Sequence, residues 1–285
     1  MGQLISQIDR KQRGGKSAAC LVAAVVAISL TAGAEPLQPA TEAAFNRYVQ
    51  QSEQRMQQDL QLGSFLWIDT LPSLQHGDVF PRLQRGEVVT QRLETLDGAT
   101  SIVVPGGLIH HWIGAVFIPG TTLKHTLTLL QDYDQHYRIY SPGVVQSRLI
   151  QRNGDDFKIF LRLRQKKVVT VILDSEYDVR YVHLDAMRAT SRSYSVRVNE
   201  VENAGQSDEH VRPTGEGNGY LWRLNSYWHF WERDGGVYVQ LEAISLSRDI
   251  PDGLGWLIRP FVTSIPRESL VFTLNCTRKA LEKIP

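Results

Sequence analysis

The sequence predicts an α+β fold in which a curved antiparallel sheet wraps around a long C-terminal helix, with a helical extension on the N-terminal side. Beyond residue 143, several runs alternate apolar and polar residues, as half-buried strands do. Two further runs are separated by residues 233–236, Arg-Asp-Gly-Gly, and such glycine pairs favour tight hairpin turns. Near the C-terminus, apolar and small residues recur at helical steps of four, three and four: Leu270, Leu274, Thr277 and Leu281.

The N-terminal extension is predicted to begin with a helix that has Thr41 as its N-cap. Its apolar residues lie largely at helical spacings: Phe45, Tyr48, Val49, Met56 and Leu60. From residue 65 to 105, glycine and proline separate short β-prone runs at 87–93 and 101–104. We therefore expect turns and short strands there.

The sheet is predicted to start with a strand over residues 108–118, which Pro119-Gly120 ends, followed at once by a helix over residues 121–131. The strongest strand pair covers residues 219–232 and 237–247. Because side chains alternate along a strand, one face of its first strand carries Tyr220, Trp222, Leu224, Ser226, Trp228 and Phe230. The closing helix is predicted in two pieces, interrupted at Pro260 and reopened by Pro266.

The first 34 residues have the pattern of a secretory signal. Four basic residues precede an apolar run over residues 18–30, which leads into Ala32-Gly-Ala34. The run is shorter than the roughly 18 to 20 residues that cross a bilayer. We expect cleavage after Ala34 and export to a periplasmic or extracellular compartment, with an uncleaved anchor as the alternative. The domain organisation expected is 1–34 signal peptide, 35–106 helix and leading strands, and 107–285 the main domain.

Charge and cysteine content exclude several classes of partner. The full chain has a formal net charge of +1, and the predicted signal removes more basic than acidic residues. A nearly neutral chain lacks the basic stripe that nucleic acid requires. With Cys20 in the signal, Cys276 is the one cysteine of the mature chain, so an intramolecular disulfide and a two-cysteine metal site are excluded. We expect no cofactor and no metal, and the oligomeric state stays open.

The order of elements resembles the START and polyketide-cyclase-like (SRPBCC) superfamily, whose arrangement is called a helix-grip. The resemblance covers about residues 107–281 and rests on five segments. They are Trp112-Ile-Gly-Ala-Val-Phe-Ile-Pro119, Leu129-Leu-Gln-Asp-Tyr-Asp134 with Tyr140-Ser-Pro142, Gly219-Tyr-Leu-Trp-Arg223, Gly235-Gly-Val-Tyr-Val-Gln-Leu-Glu242 and Ser247-Arg-Asp-Ile-Pro251. The resemblance implies a cavity for lipids, sterols or other apolar molecules between sheet and helix. A minority of the superfamily's members are cyclases, dehydratases or hydrolase-like enzymes, so the resemblance also allows an enzyme of one of these kinds.

The candidate cavity walls come from one face of the strand pair and from the last helix. The predicted ligand-binding residues are Trp222, Leu224, Ser226, Trp228, Phe230, Val239, Leu241, Ala243, Leu270 and Leu274, with Leu281 beyond them on the helix. Ser226 and the Trp222 indole are the expected hydrogen-bond donors to the ligand. The alternative is that these side chains interdigitate and leave no cavity.

Other polar residues give weaker signals. His110 and His111 are neighbours on a strand and point to opposite faces, so structural roles are expected for both. Glu242 falls on the face opposite the cavity walls, which favours an exposed carboxylate. Asp132 and Asp134 are expected to be solvated near a helix end. Residues 215–219 lack the Gly-Lys-Ser/Thr ending of a phosphate loop.

Three functions remain open from the sequence. The first is an exported protein that binds or transfers a hydrophobic ligand and has no catalytic residue. Transient contact with a membrane is compatible with this function. The second is a cyclase- or dehydratase-type enzyme that uses the same cavity, with His111, Glu242 or Tyr227 as acid or base. The third is an interaction module with a filled core.

Overall fold

The computed structural model describes residues 36–167, 169–250 and 255–283. The predicted signal segment, with its cleavage site and Cys20, lies outside the described residues. Within the described part, no helix is both long enough and apolar enough to cross a membrane.

Among the described residues, nine strands form one antiparallel sheet. The strands are β1 (Val89–Arg92), β4 (Gly107–Pro119), β5 (Val144–Asn153), β6 (Asp156–Lys166), β7 (Thr170–His183), β8 (Arg188–Glu202), β9 (His210–Val211), β10 (Arg223–Arg233) and β11 (Gly236–Arg248). Their order in the sheet is β1-β4-β11-β10-β8-β7-β6-β5, with β9 paired to β8. A separate two-residue pair joins β2 (Leu96–Asp97) to β3 (Thr100–Ser101). The predicted antiparallel sheet is confirmed.

The β10–β11 hairpin has the predicted turn. Arg233 pairs with Gly236 at its end. Asp234 and Gly235 between them have φ angles of 56° and 75°. Two successive positive φ angles match the right-handed twist of the flanking strands, which is why Asp-Gly stands here.

The helices are α1 (Pro39–Gln61), α2 (Ser73–Gln84), α3 (Leu123–Gln131), α4 (His136–Ile139) and α5 (Gly255–Glu282), with 3₁₀ turns at Trp67–Thr70 and Tyr133–Gln135. In α3, Thr122 is the N-cap, and its hydroxyl accepts from the His125 amide at 3.2 Å.

Three sequence predictions about helices are wrong. Helix α1 begins at Pro39, whose fixed φ suits a first helical position, and the Thr41 hydroxyl donates instead to the Pro105 carbonyl at 2.5 Å. Helix α2 was not expected, because Gly77 and Pro81 weaken its helical pattern. Helix α5 continues through Pro260 and Pro266 without interruption, so the missing N–H groups do not end it.

The sheet packs on both faces. We call the face toward α5 the inner face and the face toward α1 and α2 the outer face. Inner-face residues such as Val239 and Phe230 form the largest core cluster with Leu270 and Leu274 of α5. On the outer face, Phe45 and Tyr48 of α1 pack against Ile244, while Leu83 of α2 belongs to a separate cluster. The N-terminal segment therefore covers the outer face of the sheet.

Candidate functional site

A cavity of about 860 Å³ lies between the inner face of the sheet and helix α5. Its walls come from seven strands and from α3, α4 and α5 with their connections. Most of its lining side chains are apolar or aromatic, including Trp112, Leu130, Ile159, Leu173, Val179 and Phe272. A filled core, the third interpretation of the sequence, does not describe this structure.

Small side chains at the centre of the sheet make room for the cavity. Ser193 on β8 pairs with Ser226 on β10, and Ser226 pairs with Ala243 on β11. All three line the cavity. Large apolar residues in this row would fill the space, as they do four residues further along β10, where Phe230 is fully buried in the core.

Six of the ten predicted wall residues line the cavity: Leu224, Ser226, Trp228, Leu241, Ala243 and Leu270. Three others, Phe230, Val239 and Leu274, share the same face but lie in the packed core outside the cavity lining. Leu281 is also in that core. Alternation thus predicted the face, but the extent of the cavity along it depends on side-chain packing.

Trp222 does not lie on the predicted face. It is buried in the outer-face cluster with Tyr227 and Leu246, beneath α1. The reason is that β10 begins at Arg223, so strict alternation does not extend back to Trp222. Tyr220 and Leu221, consecutive residues, both line the cavity, as expected for a segment outside a regular strand. The Trp222 indole is therefore not a donor to the cavity.

Several lining residues were missed by the sequence analysis. They come from β7, β8 and the segment after α3: Tyr177, Tyr181, Ser191, Ser193, Tyr133, His136 and Tyr140. The alternation of serine with larger residues along 188–198 was a usable signal, because small residues on an inner face leave space. The aromatic residues after α3 carried no periodic signal.

The polar groups of the cavity are mostly paired and uncharged. The hydroxyls of Tyr133 and Tyr181 lie 3.0 Å apart, and burial raises the pKa of Tyr181 to about 12. His110 Nε2 lies 3.1 Å from Ser247 Oγ, and burial, with the nearby charge of Arg92, lowers the pKa of His110 to about 4. Burial also lowers the pKa of His136 to about 4. Both imidazoles are therefore neutral at neutral pH.

Charged side chains border the cavity at a rim formed by the end of β6, the β6–β7 connection, the end of β11 and helix α5. They are Arg164, Lys166, Lys167, Arg248, Asp249 and Glu268. Lys167 Nζ lies 2.8 Å from Glu268 Oε1, so an ion pair joins the β6–β7 connection to α5 at this rim.

A second polar group lies on the outer face, beneath α1. His111 Nε2 lies 2.6 Å from Glu242 Oε1, and His111 Nδ1 lies 3.0 Å from the Tyr48 hydroxyl. Arg55 of α1 also pairs with Glu242. The expectation that Glu242 is exposed is wrong, because its side chain is only 4% exposed. Its face was predicted correctly, but α1 covers that face.

The acid and base candidates of the enzymatic hypothesis do not face the cavity. His111 and Glu242 belong to the outer-face group, and the Tyr227 hydroxyl donates to Glu53 of α1 at 2.8 Å. The two neighbouring histidines do point to opposite faces, with His110 in the cavity and His111 beneath α1.

The remaining polar candidates have structural partners. Asp134 Oδ1 accepts from the Leu149 amide at 2.9 Å. In the glycine-containing connection, the buried Glu200 carboxylate accepts from the amides of Asn218 at 3.0 Å and Tyr220 at 3.2 Å. Across residues 36–167, 169–250 and 255–283, no group of three or more His, Cys, Asp or Glu side chains could hold a metal ion.

Comparison with known proteins finds no matching family model and no matching curated protein. Solved structures do match. A STAR-related lipid transfer protein fragment from Xanthomonas axonopodis is 17% identical, with a TM-score of 0.44, over 68% of this chain and 99% of that one. Zhui aromatase/cyclase from Streptomyces sp. R1128 is 11% identical, with a TM-score of 0.43, over 62% and 95%. Human STARD10 is 10% identical, with a TM-score of 0.43, over 75% and 82%.

The strand order and the packing of α5 against the inner face define the architecture of this chain. The chain has the α+β helix-grip fold that the order of its elements predicted.

Proposed function

We propose that this protein binds a hydrophobic small molecule, lipid-like or aromatic, in the inner-face cavity and carries it between sites of supply and use. The observation that supports this most directly is the cavity of about 860 Å³ with predominantly apolar walls. Such walls with a few polar groups are typical of small-molecule binding sites.

The energetics are adequate for binding without charged contacts. Burial of about 500 Å² of apolar ligand surface contributes about 12 kcal/mol at roughly 25 cal/mol per Å². Association opposes binding by roughly 4 to 15 kcal/mol. Micromolar affinity is therefore accessible to an apolar ligand even with few hydrogen bonds.

Binding accounts for the cavity better than catalysis by the residues first considered. His111, Glu242 and Tyr227 are held beneath α1, so a ligand in the cavity does not touch them. His110, which does line the cavity, has its pKa lowered to about 4 and is a weak base there.

Carriage of such a ligand requires that the cavity open toward a donor or acceptor membrane. We propose that contact is transient and uses the rim, since the half-exposed Tyr220 and basic side chains both belong to the cavity lining. We also propose export after cleavage at Ala34. An intact mass that matches a chain beginning at Glu35, measured on protein from its own host, would support cleavage, and a full-length mass would contradict it.

The experiment that tests the binding function is native mass spectrometry of the protein from its own host, followed by denaturing extraction of any bound molecule. A stoichiometric apolar compound supports the proposal and identifies the ligand. Protein that is empty and also fails to take up fluorescent fatty acids, sterols and aromatic probes contradicts it.

A further inference from the structure

Three serine hydroxyls at the centre of the cavity have no hydrogen-bond partner among the residues that the structure describes. They belong to Ser193 on β8, Ser226 on β10 and Ser245 on β11, and all three side chains line the cavity. Ser193 and Ser245 are 8% and 6% exposed. Hydroxyls enclosed in proteins are nearly always hydrogen-bonded, and these three open to the cavity, so the cavity contents would supply their partners.

Other serines of the same region are satisfied by the protein itself. The Ser175 hydroxyl donates to the Leu161 carbonyl at 2.9 Å, and Ser195 Oγ accepts from the Leu224 amide at 2.9 Å. Ser247 lies 3.1 Å from His110. Serine hydroxyls in this sheet are therefore not unpaired by default. Among the described residues, Ser191 Oγ in the cavity lining also lacks a partner, and Ser193, Ser226 and Ser245 are the three that lie side by side.

Strand register places these hydroxyls side by side. Ser193 and Ser226 are direct cross-strand partners, so their Cβ atoms are about 5 Å apart. Leu224 is the partner of Ser245, which makes Ser226 and Ser245 diagonal neighbours at roughly 7 Å. We call Ser193, Ser226 and Ser245 the serine patch. It spans about the width of one or two rings of a small molecule.

The surroundings of the serine patch favour a neutral ligand group over a charged one. The cavity histidines His110 and His136 are neutral, and the charged lining residues lie at the rim. A charged group at the centre of the sheet would lose its hydration without gaining a counterion. A neutral carbonyl or hydroxyl oxygen satisfies a serine hydroxyl without that cost.

We propose that the serine patch selects hydrophobic ligands that carry neutral oxygens, as ketones, esters or alcohols, in the portion seated against the centre of the sheet. This inference rests on the proposed binding function and makes it more specific. The apolar walls supply most of the affinity, and the patch fixes the position of the oxygen along β8, β10 and β11.

The test compares fluorene with fluorenone, which share one three-ring framework and differ by a single carbonyl. The measured quantity is the ratio of their dissociation constants, for the wild type and for a Ser193→Ala/Ser226→Ala/Ser245→Ala variant. In the variant we expect the ratio to move about tenfold against fluorenone, equivalent to about 1.4 kcal/mol, with fluorene binding nearly unchanged. Ser207→Ala, in an exposed loop, is the matched control and should leave the ratio unchanged.

The outcomes separate the two proposals. A ratio that is the same in the wild type and the triple variant, with both probes bound, overturns the role of the serine patch and leaves the binding function standing. Absence of binding for both probes, while the natural extract also yields no ligand, overturns the binding function itself. Thermal unfolding of each variant verifies that the fold is retained.

Discussion

His111 Nε2 lies 2.6 Å from Glu242 Oε1 on the outer face of the sheet, beneath a helix that supplies Tyr48 and Arg55 to the same group. The His111–Glu242 contact joins β4 to β11, and the Tyr48 and Arg55 contacts attach α1 to this pair on the face opposite the cavity. The residues on the two faces of these strands therefore have separate roles, which mutation can distinguish.

Replacement of Glu242 by alanine should destabilise the protein by about 1 to 3 kcal/mol, because it leaves the buried His111 without its acceptor and removes the partner of Arg55. The measurement is urea unfolding at pH 7. Glu216→Ala, at an exposed position, is the matched control. If both variants unfold at the same urea concentration, the outer-face group does not anchor α1. Under native conditions, Glu242→Ala should still bind the apolar probes.

Ala243→Leu should weaken the binding of apolar probes by tenfold or more, since the added carbon atoms occupy the space beside Ser226 and Trp112. Its free energy of unfolding should be unchanged or slightly raised, because the apolar surface fills a cavity. Ser207→Leu adds an apolar side chain in an exposed loop and serves as the control. Titration with a fluorescent fatty acid measures the effect. Full affinity in Ala243→Leu would place the ligand elsewhere.

Stability should fall as the pH is lowered from 7 toward 4, in part because His110 and His136 have folded-state pKa values lowered to about 4 by burial. Each of these histidines takes up a proton near pH 6.5 in the unfolded chain but not in the folded chain. Its protonation in the unfolded chain therefore lowers the free energy of unfolding by about 2 to 3 kcal/mol by pH 4.5. Below pH 4 this contribution no longer grows.

The variant His110→Gln isolates the contribution of one histidine. Its unfolding free energy, measured by urea titration from pH 7.5 to 4.5, should depend less steeply on pH than that of the wild type. His183→Gln, which changes an exposed imidazole at the end of β7, is the control. A His110→Gln slope as steep as that of the wild type would mean that His110 is not buried as a neutral group.

Gly236→Ala should be strongly destabilising. A Cβ atom built at Gly236 would lie 2.3 Å from the Ile118 carbonyl oxygen, so β4 and β11 would have to separate at their paired ends. Gly77→Ala is the matched control, since a Cβ atom there meets nothing within 4 Å and the residue lies within α2. We expect the control to gain about 0.5 to 1 kcal/mol from helix propensity. Thermal unfolding of both variants distinguishes these effects, and similar midpoints would contradict the close approach.

Local signals in the sequence predicted much of the fold. The Asp234-Gly235 turn fixes the register of β10 and β11, and alternation from that turn places Ser226, Trp228 and Leu241 correctly in the cavity. The alternation of side chains between the two faces predicts the wrong face for Trp222, because β10 begins only at Arg223. A strand boundary depends on which neighbouring strands pair with it, and the local pattern does not contain that information.

The buried state of Glu242 depends on an even longer range of sequence. Its position on the outer face follows from alternation, but its burial requires α1, which is some 180 residues earlier in the chain and contributes Arg55. Similarly, Phe230 is packed in the core while Ser226 on the same face borders open space, and this difference depends on the three-dimensional packing of several strands. Periodicity predicts the direction of a side chain, whereas the volume left around it is a property of the assembled sheet.

The neighbouring histidines of β4 show what this two-sided sheet allows. His110 meets the cavity and His111 meets Tyr48, although their Cα atoms are consecutive. Substitutions at every second residue of β4, β10 and β11 can therefore reshape the cavity while the intervening residues keep the outer helix attached. A combinatorial library restricted to those alternate positions would change the ligand preference of the cavity while α1 stays attached to the outer face of the sheet.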